Sequence, residues 1–182
     1  MMINPKFFNL LESIAKQGKR VRERPLSIFE LGSGYGTNIM CEEGYDVVSV
    51  EESSEWAFRY HDNYILCPID KETEWYDREI LKEGMKKYKD RTFDVLLVDG
   101  PSSARDRLLE NLDLFSALSF NTLVVDDVDR PGEMKLVTAM VNHLYKQYKD
   151  QIDLVVIHSD SIGANLLNPF IAVRTRPKNK KK

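Results

Sequence analysis

Apolar residues recur along this chain in two rhythms, and the switches between them mark its elements. Phe7, Phe8, Leu10, Leu11 and Ile14 follow Pro5 at helical spacing. They predict an opening amphipathic helix over 5–17, closed by Gly18 and the basic stretch 19–24. Residues 26–31 then read as a strand that stops at glycines. A short helix is expected over 37–43, a β-branched strand over 46–51, and a helix from Glu55 to about Tyr60, capped by Ser53 or Ser54. Residues 64–67 form a third strand, stopped by Pro68. Residues 70–90 are polar and partly helical. Residues 93–98 are nearly all apolar, as in a strand buried on both faces. Next come a helix over 104–118, with Leu108, Leu109, Leu112 and Phe115 on one side, a strand over 122–125, and a helix over 134–148 just after Pro131-Gly132. Two strands close the chain, 152–157 and 170–173, with a polar loop between them.

Strands alternating with helices predict a parallel sheet covered on both faces. The final pair lacks an intervening helix, which predicts an antiparallel ending. Seven strands are expected in all.

Composition narrows the class. The chain has 182 residues, 42% hydrophobic and 30% charged, which suits one domain with a real core. No linker divides it, so a single domain is expected over 1–176, with the 5–17 helix as a cover. The basic residues at 177–182 are expected to be a frayed, disordered tail. A net charge of -3 offers no basic field for nucleic acid or a membrane surface. Cys41 and Cys67 sit in apolar surroundings and outside any metal-ligand spacing, so they read as small buried residues in a reducing compartment. With neither a signal peptide nor a run of ~20 apolar residues, a cytoplasmic location is the expectation. Oligomeric state is left open.

The chemistry begins after the first strand, at Glu30-Leu31-Gly32-Ser33-Gly34-Tyr35-Gly36. Glycines at 32, 34 and 36 let the backbone turn sharply and let a ligand approach without meeting a Cβ atom. The following helix offers unpaired N–H groups. Glu51 ends the second strand about 20 residues on, where a carboxylate can accept both hydroxyls of a ribose. Together these features point to an adenosine-type ligand. A dinucleotide fingerprint would place another glycine where Thr37 stands. Glu30 also suits a positively charged amine or sulfonium better than a pyrophosphate.

The pattern E-x-G-x-G-x-G resembles the first motif of class I S-adenosylmethionine-dependent methyltransferases. The resemblance covers about 26 to 175. It implies a three-layer α/β Rossmann-like sandwich whose seven-stranded, mostly parallel sheet has an antiparallel last strand. It implies S-adenosylmethionine as cofactor, with Glu30, Gly32, Ser33, Gly34, Tyr35 and Gly36 around the methionine and ribose portions. Glu51 would take the ribose hydroxyls, Glu52 would lie beside the adenine, and Asp70 would face the adenine amino group. Asp70 also reads as a helix cap.

Asp99 closes the fourth strand, and Asp126-Asp127 closes the fifth, at the sheet edge that carries the glycine turn. Three readings compete. Asp99 or Asp127 is a general base in a metal-free polar acceptor site. Alternatively Asp99, Asp126 and Asp127 hold a divalent metal, at a spacing that resembles metal-dependent catechol-type O-methyltransferases, although those carry Asp-Asn at the second place. Or the acids cap helices. Asp99 borders the cofactor in any of these arrangements. Arg105 and Arg107 read as a solvated helix face or as partners for an acidic substrate. Trp56 reads as core, while Trp75 and Tyr76 read as part of a lid. His61, His143 and His158 form no triad and receive no catalytic role. His158-Ser159-Asp160-Ser161 reads as loop. The expected function is methyl transfer to a small polar molecule, with oxygen favoured. The alternatives are a non-catalytic adenosylmethionine-binding module and a nicotinamide-dependent oxidoreductase.

Overall fold

Aliphatic side chains fill both faces of the central strands, so the sheet is buried between two apolar layers. The computed structural model describes residues 8–14, 16, 24–102, 105–115, 118–126, 128, 131–148, 152–155 and 171–175. In chain order these form helix α1 (8–14), β1 (Ser27–Leu31), α2 (Tyr35–Glu42), β2 (Asp46–Glu51), β3 (Tyr64–Leu66), β4 (Ile69–Asp70), β5 (Trp75–Tyr76), α3 (Arg78–Met85) and β6 (Thr92–Val98). They continue through α4 (Leu112–Phe115), β7 (Ser119–Val125), α5 (Pro131–Tyr148), β8 (Ile152–Val155) and β9 (Ile171–Thr175).

Five strands pair in parallel in the order β3-β2-β1-β6-β7, and an antiparallel pair, β9 and β8, continues from β7. This is an α/β, Rossmann-like arrangement. These seven strands make one sheet; the expectation of seven strands in all needs correction, because among the described residues β4 and β5 add a second, two-stranded antiparallel sheet. Each of those strands is two residues long, too short to show any periodicity in sequence.

Alternation along each strand sorts the core into two layers. Phe29, Leu31, Val48, Val50, Leu96, Val98, Leu123 and Val125 face one way, into a layer with Leu81, Leu108, Leu136 and Met140. Ile28, Val47, Val95, Leu97 and Val124 face the other, where Leu11 of α1 and Met40 of α2 cover them. A fully buried residue such as Phe29 contributes about 1.5–3 kcal/mol through area removed from water. Its ring also meets Phe93 and Tyr88 edge-on, at 5.3 and 6.1 Å between centroids. Polar residues at inward positions of these strands are therefore conspicuous. Glu30 and Ser49 are two of them, and they lie side by side in the β1–β2 register.

Several helical expectations change. Residues 55–60 make a single turn, closed by Ser53 O accepting from Trp56 N and Ala57 N. Phe58 then takes a left-handed φ of 60°, which a helix cannot continue. The helix expected over 104–118 is instead a 3-10 stretch, Arg105–Asn111, followed by the four-residue α4. Helix α5 begins earlier than expected, at Pro131, where the missing N–H costs nothing. Trp75 and Tyr76 are not a lid: both are buried in the first core layer. Trp56 is not core: it is exposed, with the Arg59 guanidinium over its ring at 4.6 Å. Cys67 is buried, and Cys41 only half-buried. Among the described residues, no helix is long and apolar enough to cross a membrane. The 177–182 tail lies outside the described residues.

Candidate functional site

The strand order reverses between β1 and β6, and there the segments that leave the two strands nearly touch. Gly32 has φ +85°, and a Cβ built on it would lie 2.9 Å from Gly100 Cα. A Cβ on Gly100 would lie 2.6 Å from Gly32 Cα and 2.7 Å from the Tyr76 hydroxyl. The close approach that Gly32 permits is thus to the β6 end. Gly34 is different, since a Cβ there would meet nothing within 4 Å. It leaves open space at the mouth of the turn, where a ligand can pass close to the backbone. Gly36 is buried in the first turn of α2, and Tyr35 beside it is 62% exposed. Thr37 closes the turn: its Oγ1 accepts from Gly34 N–H at 2.9 Å.

Glu51 is fixed at this mouth. Its Oε2 accepts from Ser33 N–H and its Oε1 from Ser53 N–H, each at 2.8 Å. Each oxygen keeps lone-pair capacity for one further donor. Burial pushes the Glu51 carboxyl above the usual range, and the Ser53 and Ser33 amides pull it back. Next in the chain, Glu52 Oε1 accepts from the Ser102 hydroxyl at 2.6 Å, tying the loop after β2 to the loop after β6. Glu52 Oε2 is buried and has no partner. Such an oxygen costs about 1–3 kcal/mol unless a donor arrives.

Asp70 has a local task. Its Oδ1 accepts from Glu72 N–H (2.8 Å), Thr73 N–H (2.9 Å) and the Thr73 hydroxyl (3.3 Å), capping the β4–β5 turn. The Thr73 and Glu72 amides hold this carboxyl below its ordinary value.

Glu30 lies beneath the glycine turn at 2% exposure. Its Oε1 accepts from the Thr37 hydroxyl at 2.7 Å and its Oε2 from the Ser49 hydroxyl at 3.1 Å. Burial raises its carboxyl to about 8, against the pull of those hydroxyls and with smaller help from Asp99 and Glu51. Both oxygens are engaged by the protein, so Glu30 braces the turn from below. The Tyr76 hydroxyl is also buried here, with one long contact to Val50 O at 3.5 Å. Burial, with Glu51 and Glu52 next, holds that phenol well above its ordinary value.

Asp99 and Asp126 stand at the same edge, each half-buried, with Asp99 N–H donating to Leu31 O and Asp126 N–H to Val98 O. Asp127 lies outside the described residues, as do Arg130 and residues 156–170 with His158, Ser159, Asp160 and Ser161. The side chains of Arg105 and His143 lie outside them too. Among the described residues, no group of three His, Cys, Asp or Glu could hold a metal. Arg107 pairs with Glu110 on its own helical stretch at 2.9 Å. Sequence reasoning passed over Ser49, Tyr64 and Ser102, and named His61 only to give it no catalytic role. For Ser49 a signal existed, a hydroxyl at an inward position of a strand otherwise filled by valines. The other three carried none.

An adenosine-type ligand fits these residues: open space at Gly34, a carboxylate with spare capacity at Glu51, and an unpartnered buried oxygen on Glu52. No family model matches the sequence, and no curated protein matches it. Solved structures do. WbdD, co-crystallised with a kinase inhibitor, gives a TM-score of 0.55 at 12% identity over 94% of this chain, which spans 40% of that protein. Human methyltransferase-like protein 13 in complex with S-adenosylhomocysteine gives 0.56 at 14% identity, over 97% of this chain and 84% of the other. SMU.1697c from Streptococcus mutans, also in complex with S-adenosylhomocysteine, gives 0.53 at 11% identity over 96% and 99%. These likenesses show the fold, an α/β Rossmann-like arrangement shared with structures described as methyltransferases.

Proposed function

We propose that the chain is an S-adenosylmethionine-dependent methyltransferase acting on a small polar molecule, with oxygen the favoured atom. The observation that carries this reading is Glu51, held by the Ser33 and Ser53 amides with capacity to spare, beside the open space at Gly34. A bound donor would supply a methyl group on a positively charged sulfur, which needs no activation. The chain's own residues then hold, orient and exclude water. Glu51 accepts the ribose hydroxyls. Ser33, Gly34, Tyr35 and Gly36 form the turn along which the donor lies, on the floor made by Gly32 and Glu30. Glu52 offers its free oxygen to the adenine side. Asp99 and Asp127 are the candidate bases for a hydroxyl acceptor. A net charge of -3 favours a small acceptor over nucleic acid.

Calorimetry with S-adenosylmethionine, S-adenosylhomocysteine and NAD tests the donor. Both sulfur ligands are expected to bind, and NAD is not. Binding of NAD alone would point to an oxidoreductase and overturn the proposal. Methyl transfer is then followed on a panel of hydroxylated small molecules. Donor binding without transfer to any of them would favour a non-catalytic binding module.

A further inference from the structure

A chain of hydrogen bonds runs from the residue before β3 to the glycine turn, and its direction is fixed at one end. Asn63 N–H is an obligate donor, and it donates to His61 Nδ1 at 3.0 Å. His61 Nδ1 therefore carries no proton, and the neutral ring carries its proton on Nε2. Burial favours that neutral ring, against Asp62 and Asp46. His61 Nε2–H then donates to Ser49 Oγ at 2.8 Å. This leaves the Ser49 hydroxyl proton free to donate to Glu30 Oε2 at 3.1 Å. From the other side, Gly34 N–H donates to Thr37 Oγ1, which donates to Glu30 Oε1. With the Glu30 carboxyl ionised, every donor in the chain has an acceptor, and both arms converge on that one carboxylate. A second link runs alongside. The His61 ring stacks on Tyr64, at 4.2 Å between centroids and 17° between planes, and the Tyr64 hydroxyl is 2.7 Å from Ser33 Oγ.

We propose that His61 is a positioning residue for the glycine turn: through Ser49, Glu30 and Thr37 it holds Gly34 in the conformation that receives the donor. The second half of that statement rests on the methyltransferase reading; the first half does not. His61 touches neither the turn nor the space above it. It acts by fixing which way the Ser49 hydroxyl points. With the imidazole gone, Ser49 can turn away from Glu30, and Glu30 then has one hydroxyl to balance instead of two. The carboxyl joins β1 to β2 through Ser49 and to the start of α2 through Thr37, so it loses one of the two anchors that fix it beneath the turn.

The test uses the full chain and two readouts. His61→Phe keeps an aromatic ring against Tyr64 and removes both nitrogens. His61→Gln restores a donor near the position of Nε2. Ser49→Ala breaks the next link. Hydrogen exchange at the Gly34 amide, referred to each variant's global unfolding, reads the turn without any ligand. Calorimetry with S-adenosylhomocysteine reads the donor site. His61→Phe is expected to raise Gly34 exchange and to weaken ligand binding about tenfold, as for the loss of one buried hydrogen bond. His61→Gln is expected to recover most of both. His61→Phe with Ser49→Ala is expected to be no worse than either alone, because links in series are not additive. Unchanged Gly34 exchange in His61→Phe, no recovery in His61→Gln, or additive losses would each overturn the proposal. If the parent fails to bind S-adenosylhomocysteine, the methyltransferase reading falls, and Gly34 exchange alone decides whether His61 positions the turn.

Discussion

Replacing Glu30 with glutamine keeps the shape of a buried side chain and removes its ability to titrate. The carboxyl ionises at 4.5 in an unfolded chain and at about 8 in the folded protein. Between those values the folded state keeps a proton that the unfolded chain gives up. Stability is therefore fully present below about 4.5, falls as pH rises through the window, and has lost the whole contribution above about 8. At about 1.36 kcal/mol per pKa unit, the span amounts to roughly 5 kcal/mol. That is a large share of the ~5–15 kcal/mol that holds a typical domain together. Glutamine keeps one acceptor for Thr37 or Ser49 and turns an N–H on the other, a cost of about 1–3 kcal/mol that does not vary with pH. Urea unfolding of parent and Glu30→Gln, from about pH 5 to about pH 9, gives the comparison. The variant is expected to be less stable than the parent in acid and equal to it, or better, in alkali. Groups not coupled to Glu30 contribute equally to both proteins, so the difference between the two curves reports Glu30 together with the groups it couples to, Glu51 among them. Curves that stay parallel across the range would refute the reasoning, and would mean that the two hydroxyls keep the carboxyl ionised despite its burial.

Gly32→Ala and Gly34→Ala are expected to separate cleanly. The first drives a Cβ into the Gly100 backbone and should cost several kcal/mol in thermal unfolding, roughly the range of severe core changes. The second leaves the melting temperature near the parent's and weakens S-adenosylhomocysteine binding, read by calorimetry. Glu51→Ala removes the partner of two amides and both ribose contacts, so the same titration should lose at least about tenfold. Asp70→Ala releases the cap of the β4–β5 turn; a lower melting temperature with unchanged ligand affinity is expected, and a lost preference for adenine over hypoxanthine ligands would restore Asp70 to the binding site. Asp99→Asn is expected to slow methyl transfer while a chelator leaves the parent unaffected; inhibition by the chelator would favour the metal reading.

The class of fold was legible because long strands advertise themselves. The runs at 26–31, 46–51 and 93–98 are each flanked by turn residues, and each is a strand of the central sheet. Elements made by tertiary packing were not legible. Residues 55–60 have the composition of a helix, yet Phe58 leaves the helical region after one turn. Residues 104–118 have helical spacing, yet the described part winds mostly as a 3-10 stretch. Trp75 looked like lid material because its neighbours are charged, but two residues of ribbon carry it into the core, where its indole N–H finds no partner. At the candidate site, the structure sets Glu51 against the glycine turn through Ser33, and Asp70, given two roles by sequence, makes the hydrogen bonds of a turn cap. The network behind the turn was hidden for a simple reason. Ser49, His61 and Thr37 come from three separate segments, and only the fold brings them to Glu30.

The backbone contact between Gly32 and Gly100 sets a rule for anyone remodelling this protein. Loops at the ends of α/β strands are usually treated as exchangeable parts, swapped to change what an enzyme accepts. Here the loop after β1 and the loop after β6 share one crossing point at which neither can carry a side chain, and no change in one can make room for a side chain in the other. A graft that alters the segment after β6 must keep glycine at 100, or it will displace the glycine turn after β1. Libraries that vary this loop should therefore hold that crossing constant, keep Ser102 for its bond to Glu52, and begin their variation beyond it.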